Sequence, residues 1–387
     1  MFGGNRMRKK PLKYFMVFLL LVILAAGCSS EPTQSSKIDS SGLPHQMTWS
    51  VYDVGSGGYA EMSAIANALT DIHGSQIRML PSASGVGRMV PLKREIASVG
   101  KVGDEIQLAF EGTEEFASRD WGPQDVRAFW APISQFGFAV RKNSDIQSIH
   151  DLKGKKIPVI AGNTSVNIKN EALLAFAGLT WEDVKPVKIT SYSGQGDALV
   201  QGQIDVAGIN PTASSMFEAH SKGGIRWLEL DEDDTEGWER VEAVAPWLFP
   251  YSLSNGAGME SEMAVMGHGY LIGGYAKQDE ETVYALIKEM DKSFNKYKDA
   301  MPNLALYSKD EVLTEPKGIP FHDGVIKFFK EEGLWSDEKQ AQNDRLIERF
   351  DQLKSAWNQV LDEADQEGIT DKEFKEYWLM KKEELVK

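Results

Sequence analysis

Cysteine is almost absent from this 387-residue chain, which carries one, Cys28. A lone thiol bridges nothing within the chain, so the fold must be held by its core. Long apolar runs are scarce too. The strongly apolar stretch Tyr14 to Ala26 has 13 residues, where a membrane-spanning helix needs roughly 20. No G-x-S-x-G and no phosphate-binding P-loop occurs, and the six histidines, His45, His73, His150, His220, His268 and His322, lack a metal-ligand spacing such as H-E-x-x-H. These absences argue against a serine hydrolase, a P-loop enzyme and a zinc site. A basic surplus is also missing, with 42 Lys plus Arg against 57 Asp plus Glu and a net charge of −15. Nucleic acid is therefore not expected as a partner, because phosphates are bound through a net basic surface.

What is present begins with Arg6, Arg8, Lys9, Lys10 and Lys13 ahead of the apolar stretch, followed by small residues. This pattern reads as an export signal over residues 1–27. Leu24-Ala25-Ala26-Gly27-Cys28-Ser29 resembles a lipobox, which makes Cys28 the expected site of lipidation and of a membrane anchor. With about 0.8 kcal/mol per buried methylene, two or three acyl chains hold a protein firmly at a membrane surface. Residues 28–46, rich in Ser, Thr, Gln and Pro, read as a flexible tether. Subtracting the five basic residues of the signal from 42 leaves 37 against 57 acidic, a net charge of −20. The remaining residues, about 340, suffice for two domains at roughly 150 each.

A strand, a turn and a helix recur along the folded part. Met47 to Tyr52 reads as a strand entering Gly55-Ser56-Gly57-Gly58, with a helix from Tyr59 to His73 that places Met62, Ile65, Ala66 and Leu69 on one face. Gln76 to Pro81 leads into Ser82-Ala83-Ser84-Gly85 and a helix running to Ile96. Lys155 to Ala161 leads into Gly162-Asn163-Thr164-Ser165 and a helix from Val166 to Phe176. Ile204 to Ile209 ends at Asn210-Pro211-Thr212, with a helix from there to about His220. Such alternation predicts parallel sheets covered on both faces, with ligands bound beyond the carboxyl ends of the strands. Helix N-termini there present free N–H groups, although each Ser, Thr or Asn ahead of a helix also reads as a cap.

Several of these segments resemble the TAXI-type solute receptors of tripartite ATP-independent periplasmic (TRAP) transporters. Val54-Gly55-Ser56-Gly57-Gly58-Tyr59 is similar to the family's opening glycine turn, and Leu80 to Val86 to its next turn. Ser148 to Ile157, Gly162 to Ser165, Asp197-Ala198-Leu199 with Gly202-Gln203-Ile204-Asp205, and Gly318 to Gly324 resemble later motifs in the same order, over about Thr48 to Trp335. The family's glycine and acidic residue of the first lobe have no clear counterpart in Lys93 to Val99. Its proline and tyrosine in the second crossing are replaced within Leu253 to Gly258.

The resemblance implies an α/β, two-lobed periplasmic-binding-protein-like fold of type II, with a hinge and a ligand in the interlobe cleft. The first lobe is expected over 47–135 and 255–335 and the second over 136–254. The chain is expected to cross near Ile133 to Phe138 and again near Pro250 to Gly258. Residues 336–387 read as an acidic helical extension, Asp337 to Gln366 and Asp371 to Leu385, packed on one lobe. Expected ligand contacts are Gly57, Gly58, Tyr59, Ser82, Ser84 and Gly85 from the first lobe. From the second they are Asn163, Thr164, Ser165, Asn210 and Pro211, with Asp205 supporting a turn or meeting a ligand amine. Arg88, one turn after Gly85, is a further source of positive charge.

An enzyme is not expected, and neither a cofactor nor a metal. Gly55-x-Gly57-x-x-Ala60 matches the dinucleotide-binding pattern, but the second strand ends in Arg78-Met79-Leu80-Pro81 without the acidic residue that holds a ribose. The expected protein is an exported lipoprotein that captures a small organic acid or amino acid, glutamate-like or dicarboxylate-like, and delivers it to a TRAP membrane permease. The alternative is an extracytoplasmic sensor that presents its closed form to a signalling partner.

Overall fold

A computed structural model describes residue 1 and residues 41–386, apart from 53, 55 and 83. The export signal, Cys28 and most of the tether lie outside the described residues. The chain alternates short strands and helices, as the period changes in the sequence require. β1 (Gln46–Tyr52) buries Met47, Trp49 and Val51, and α1 (Gly57–His73) buries Met62, Ile65, Ala66 and Leu69. β2 (Gln76–Ser82) and α2 (Gly85–Lys93) follow. α2 stops short of Ile96 because Pro91 interrupts its hydrogen bonding and Glu95 turns into the left-handed region at φ 58. β3 (Val99–Lys101), α3 (Glu105–Glu111) and β4 (Val126–Trp130) complete the first passage.

β5 (Ile133–Arg141) opens a second passage through β6 (Lys156–Ile160), α4 (Thr164–Phe176), β7 (Lys185–Ile189), α5 (Gln195–Val200), β8 (Val206–Ile209) and α6 (Ser214–Gly223). It continues with β9 (Ile225–Trp227), α7 (Thr235–Val244), β10 (Leu248–Leu253) and β11 (Met263–Gly269). β12 (Ile272–Tyr275), α8 (Glu280–Lys292) and α9 (Asp323–Glu331) belong with the first passage. α10 (Asp337–Glu367) and α11 (Asp371–Leu385) close the chain.

The strands form two lobes. One sheet has the order β2-β1-β3-β12-β4, and the other β10-β11-β5-β8, with β9 also on β5 and the parallel pair β6-β7 alongside. The expected parallel pairing holds for β1 with β2 and β3, and for β6 with β7. Elsewhere the pairs are antiparallel, because the strands that carry the chain between lobes run back against their neighbours. The chain leaves the first sheet after Trp130 and returns to it at Ile272, through residues 131–132 and 270–271. The return is thus later than 250–258, where β10 instead forms an antiparallel pair with β11 in the second sheet.

The two terminal helices pack on the first lobe. The Trp378 ring lies 4.8 Å from that of Trp357, Phe350 meets Phe110 at 5.5 Å, and Trp378 Nε1 donates to Gly112 O at 2.7 Å. Among the described residues no helix is long and apolar enough to cross a membrane.

Candidate functional site

The carboxyl ends of β2, β1 and β3 converge, and Tyr52, Ser82 and the segment after Lys101 come together there. Ser56 caps α1 by accepting from Tyr59 N at 3.1 Å, and Ser84 caps α2 by accepting from Gly87 N at 3.1 Å. Gly58 is buried, and a side chain does not fit there because its Cβ would run into the Tyr270 hydroxyl. Gly85 is needed for the same reason, with Glu105 Cγ 2.3 Å from its imagined Cβ.

Arg88 is fully buried here. Its Nε donates to Val102 O and its Nη1 to Ser82 O, both at 3.0 Å, and its guanidinium carbon stands 3.6 Å from the centre of the Tyr52 ring. Nη2 lies 3.2 Å from Glu105 Oε1 but without hydrogen-bond alignment, so Nη2 and both Glu105 oxygens remain unmatched. Burial pushes the Glu105 carboxyl up, against the pull of Arg88. Burial opposes the Arg88 charge as well, but Tyr52 and Glu105 outweigh it and hold the guanidinium above its ordinary value.

Asp104, beside Glu105, is where the second lobe arrives. Its N–H donates to Ser165 Oγ at 3.4 Å, and its Oδ2 forms an ion pair with Lys169, whose Nζ also donates to Ser165 Oγ at 3.0 Å. Ser165 and Lys169 are four apart on α4 and so share a face. His268 Nδ1 stands 3.7 Å from Asp104 Oδ1, and neither atom has a hydrogen-bond partner. Burial, reinforced by Lys169, pushes the His268 imidazole down to about 3. A second bridge between lobes joins Thr212 and Asn303, with oxygens 2.9 Å apart.

Beneath Tyr270 lies a buried support. Lys101 Nζ donates to Tyr270 O at 2.8 Å and to the Tyr307 hydroxyl at 2.5 Å, and sits 3.5 Å from Glu61 Oε2. Burial pulls this ammonium down to about 8, against Glu61. The ring of Tyr270 lies edge-on to Tyr52 at 5.8 Å and near His268 at 6.2 Å.

Of the expected contacts, Gly58, Ser82, Gly85 and Ser165 belong to this cluster. Gly57 and Tyr59 form the first turn of α1, and Ser84 caps α2 from an exposed position. Asn163 caps α4 by accepting from Val166 N at 3.1 Å, and Thr164 is the first residue of that helix. Asn210 accepts from Thr212 N at 2.7 Å and donates to Ser134 Oγ at 3.0 Å, while Pro211 is buried and its carbonyl accepts from Ala257 N at 2.9 Å. Asp205 differs in place. It precedes β8, at the opposite end from Asn210, where it accepts from Lys156 N at 2.9 Å and faces Arg141 at 3.6 Å, so its role is to hold strands together.

Sequence reasoning passed over Asp104, Glu105, Lys169, His268 and Tyr270. The available signal was Gly103-Asp104-Glu105, a glycine and two carboxylates between a strand and a helix, ten residues after Lys93. A surface groove of about 660 Å³ lies elsewhere on the second lobe, among Ser148, His150, Phe176, Glu229, Asp231 and Glu262. Its carboxylates are exposed to water, whereas the unmatched polar atoms of the interlobe cluster are buried, so the cluster is the candidate site.

Comparison with known proteins assigns the chain to a family. Residues 55–333 match the NMT1-like family, and the chain belongs to it. A putative aliphatic sulfonates-binding protein of Escherichia coli (strain K12) is 30% identical over 152 residues. That match covers 39% of this chain and 44% of the relative, so the chain spans less than half of the relative's length. Among solved structures, the periplasmic aliphatic sulphonate binding protein from Escherichia coli matches at 17% identity and a TM-score of 0.43, over 75% of this chain and 88% of the other. An ancestral arginine-binding protein bound to arginine matches at 18% identity and a TM-score of 0.38, over 65% and 98%.

Proposed function

From its place in the NMT1-like family, we propose that this protein is a non-catalytic, extracytoplasmic solute-binding protein that closes its two lobes around a small organic acid or amino acid. The observation that carries the reading is the meeting of both lobes at Asp104, which Ser165, Lys169 and His268 of the second lobe contact beside the buried Arg88–Glu105 pair of the first. Buried polar atoms without partners at such a junction favour a ligand that supplies them. A ligand touching both lobes stabilises the closed form only, and shifts the population toward it.

The finer reading is a TAXI-type receptor of a TRAP transporter, anchored to the membrane through lipid on Cys28 and handing its solute to the permease. Its support is the order of the turn motifs, from Gly55-Ser56-Gly57-Gly58 to Ile319-Pro320-Phe321-His322, together with the lipobox-like segment.

A thermal-shift panel of amino acids, keto acids, dicarboxylates, alkanesulfonates and sugars tests the binding reading. A ligand at 100 times its dissociation constant adds about 2.7 kcal/mol, which raises the melting temperature by several degrees. A shift with one compound that magnetic resonance finds chemically unchanged is the expected result. Turnover of the compound would instead make the protein an enzyme. For the permease, uptake into vesicles holding the tripartite permease should require this protein, and uptake without it would remove the TRAP assignment.

A further inference from the structure

A small cavity lies where the chain crosses between lobes, outside the ion pairs described above. Ala131 of the first crossing and Leu271 of the second line it, together with Gln107, Trp247, Ile319 and Phe321. Gln107 sits on α3 of the first lobe, and Trp247 precedes β10 of the second. The volume is about 10 Å³. That is close to the least space that holds one water molecule and far below the roughly 300 Å³ of the smallest ordinary ligand pockets.

Two of these residues carry polar atoms left open. Gln107 and Trp247 are 1% and 6% exposed, and neither Gln107 Oε1 nor Trp247 Nε1 has a hydrogen-bond partner within the protein. Gly318 brings the two side chains together, since a Cβ there would run into Gln107 Oε1 and stand 3.4 Å from Trp247 Cβ. The amide oxygen accepts, whereas the indole N–H can only donate. A cation in the cavity would meet the indole N–H, and an anion the amide oxygen, each with the wrong polarity. Water accepts from the one and donates to the other. Glu315, which is exposed, also lines the cavity and gives solvent a way in.

We propose that this cavity is a hinge water site, in which one ordered molecule accepts from Trp247 Nε1, donates to Gln107 Oε1 and so ties the second lobe to the first between the two crossings. Such a bridge is nearly as favourable as a direct hydrogen bond. A water can also turn as the lobes move, so it restrains the hinge without locking it. Gln107 N donates to Asp104 O at 2.8 Å. The residue that holds the water and the residue where the lobes meet therefore share one helical turn. The site stands on the fold alone, whichever solute the protein takes.

The test is magnetic resonance of the full-length protein in detergent, with the tryptophan indoles labelled with nitrogen-15. The Trp247 signal is the one lost in Trp247→Phe, and its cross-peak with water is then measured. The expected result is a cross-peak of opposite sign in the laboratory and rotating frames, which marks a held water rather than proton exchange with solvent. It should vanish in Gln107→Met, which keeps the volume and removes the acceptor, and the melting temperature of that variant reports whether it is folded. A Trp247 indole without such a cross-peak overturns the inference, and so does one that persists in folded Gln107→Met. A double-mutant cycle in denaturant reads the tie itself. If Gln107→Met and Trp247→Phe remove the same bridge, the double variant should be about tenfold more stable than the product of the two single losses, roughly 1.4 kcal/mol of coupling. Losses that simply multiply would show that the two atoms share no partner and would overturn the bridge. Every one of these outcomes leaves the receptor reading where it stands.

Discussion

Two carboxylates on one short helix behave in opposite ways. Glu105 opens α3 and Glu111 ends it, six residues apart. A helix N-terminus favours a negative charge and a C-terminus opposes one, so position alone would stabilise Glu105 as the anion. The reverse is found. Burial raises the Glu105 carboxyl and leaves it without a hydrogen bond. Burial opposes the Glu111 charge too, but Arg349 grips it through Nε at 2.7 Å and Nη2 at 2.9 Å, Lys382 adds a contact at 2.7 Å, and its carboxyl is held below the ordinary range. Glu111 ties the terminal helices to the first lobe, and its partners come from the same folded chain. Glu105 follows Asp104, where the lobes meet, and its partner is the buried Arg88 guanidinium, 3.2 Å from Oε1 but without hydrogen-bond alignment. Burial of a charge is therefore no mark of function by itself; unfilled bonding capacity at a junction between lobes is.

The sharpest way to break this contrast is on the structural side. Trp378→Ala removes a buried ring and its bond to Gly112, and should cost about 3–5 kcal/mol of stability in a denaturant titration while leaving ligand affinity unchanged. Glu111→Gln should cost about 2 kcal/mol, because Arg349 and Lys382 are left crowded together without their anion.

Acid provides a third comparison. His268 ionises near 3 when folded and near 6.5 when unfolded, so between those values the unfolded chain binds more protons. Stability should therefore fall as pH drops from about 6.5 toward about 3, and His268→Gln should flatten that part of the curve. Equal slopes in the two proteins would show that His268 is not the residue responsible.

Glu105→Gln removes the carboxylate that stands 3.2 Å from the fully buried Arg88 guanidinium, and should lower the melting temperature of the ligand-free protein by a few degrees, about 1 kcal/mol, less than Glu111→Gln because the pair lacks hydrogen-bond alignment. A melting temperature as low as that of Glu111→Gln would erase the distinction between the two. The smallest effect belongs to the exposed pair Lys222 and Asp197, where Asp197→Asn should leave both melting and binding unmoved.

Much of this was legible in the sequence. The amphipathic period of Met62, Ile65 and Leu69 and the cap at Ser56 marked α1, and the terminal helices were visible as Asp337 to Gln366 and Asp371 to Leu385. The turn residues were legible as turns, yet Ser56, Ser84 and Asn163 chiefly cap their helices. The charged cluster was not visible, because its members come from α2, α3, α4 and β11 and meet only through the tertiary fold. Asp205 misled for a related reason: an acidic residue next to a strand reads the same at either end, and only the sheet placed it away from the cleft.

The central claim is that a ligand draws the lobes together at Asp104. It is tested most directly by the distance between spin labels on Ile72→Cys and Phe217→Cys, exposed positions on α1 and α6 away from the cluster. With the tightest ligand of the thermal-shift panel at saturation, the distance distribution should narrow around a single closed value and be broader without it. An unchanged distribution at full occupancy would contradict the account.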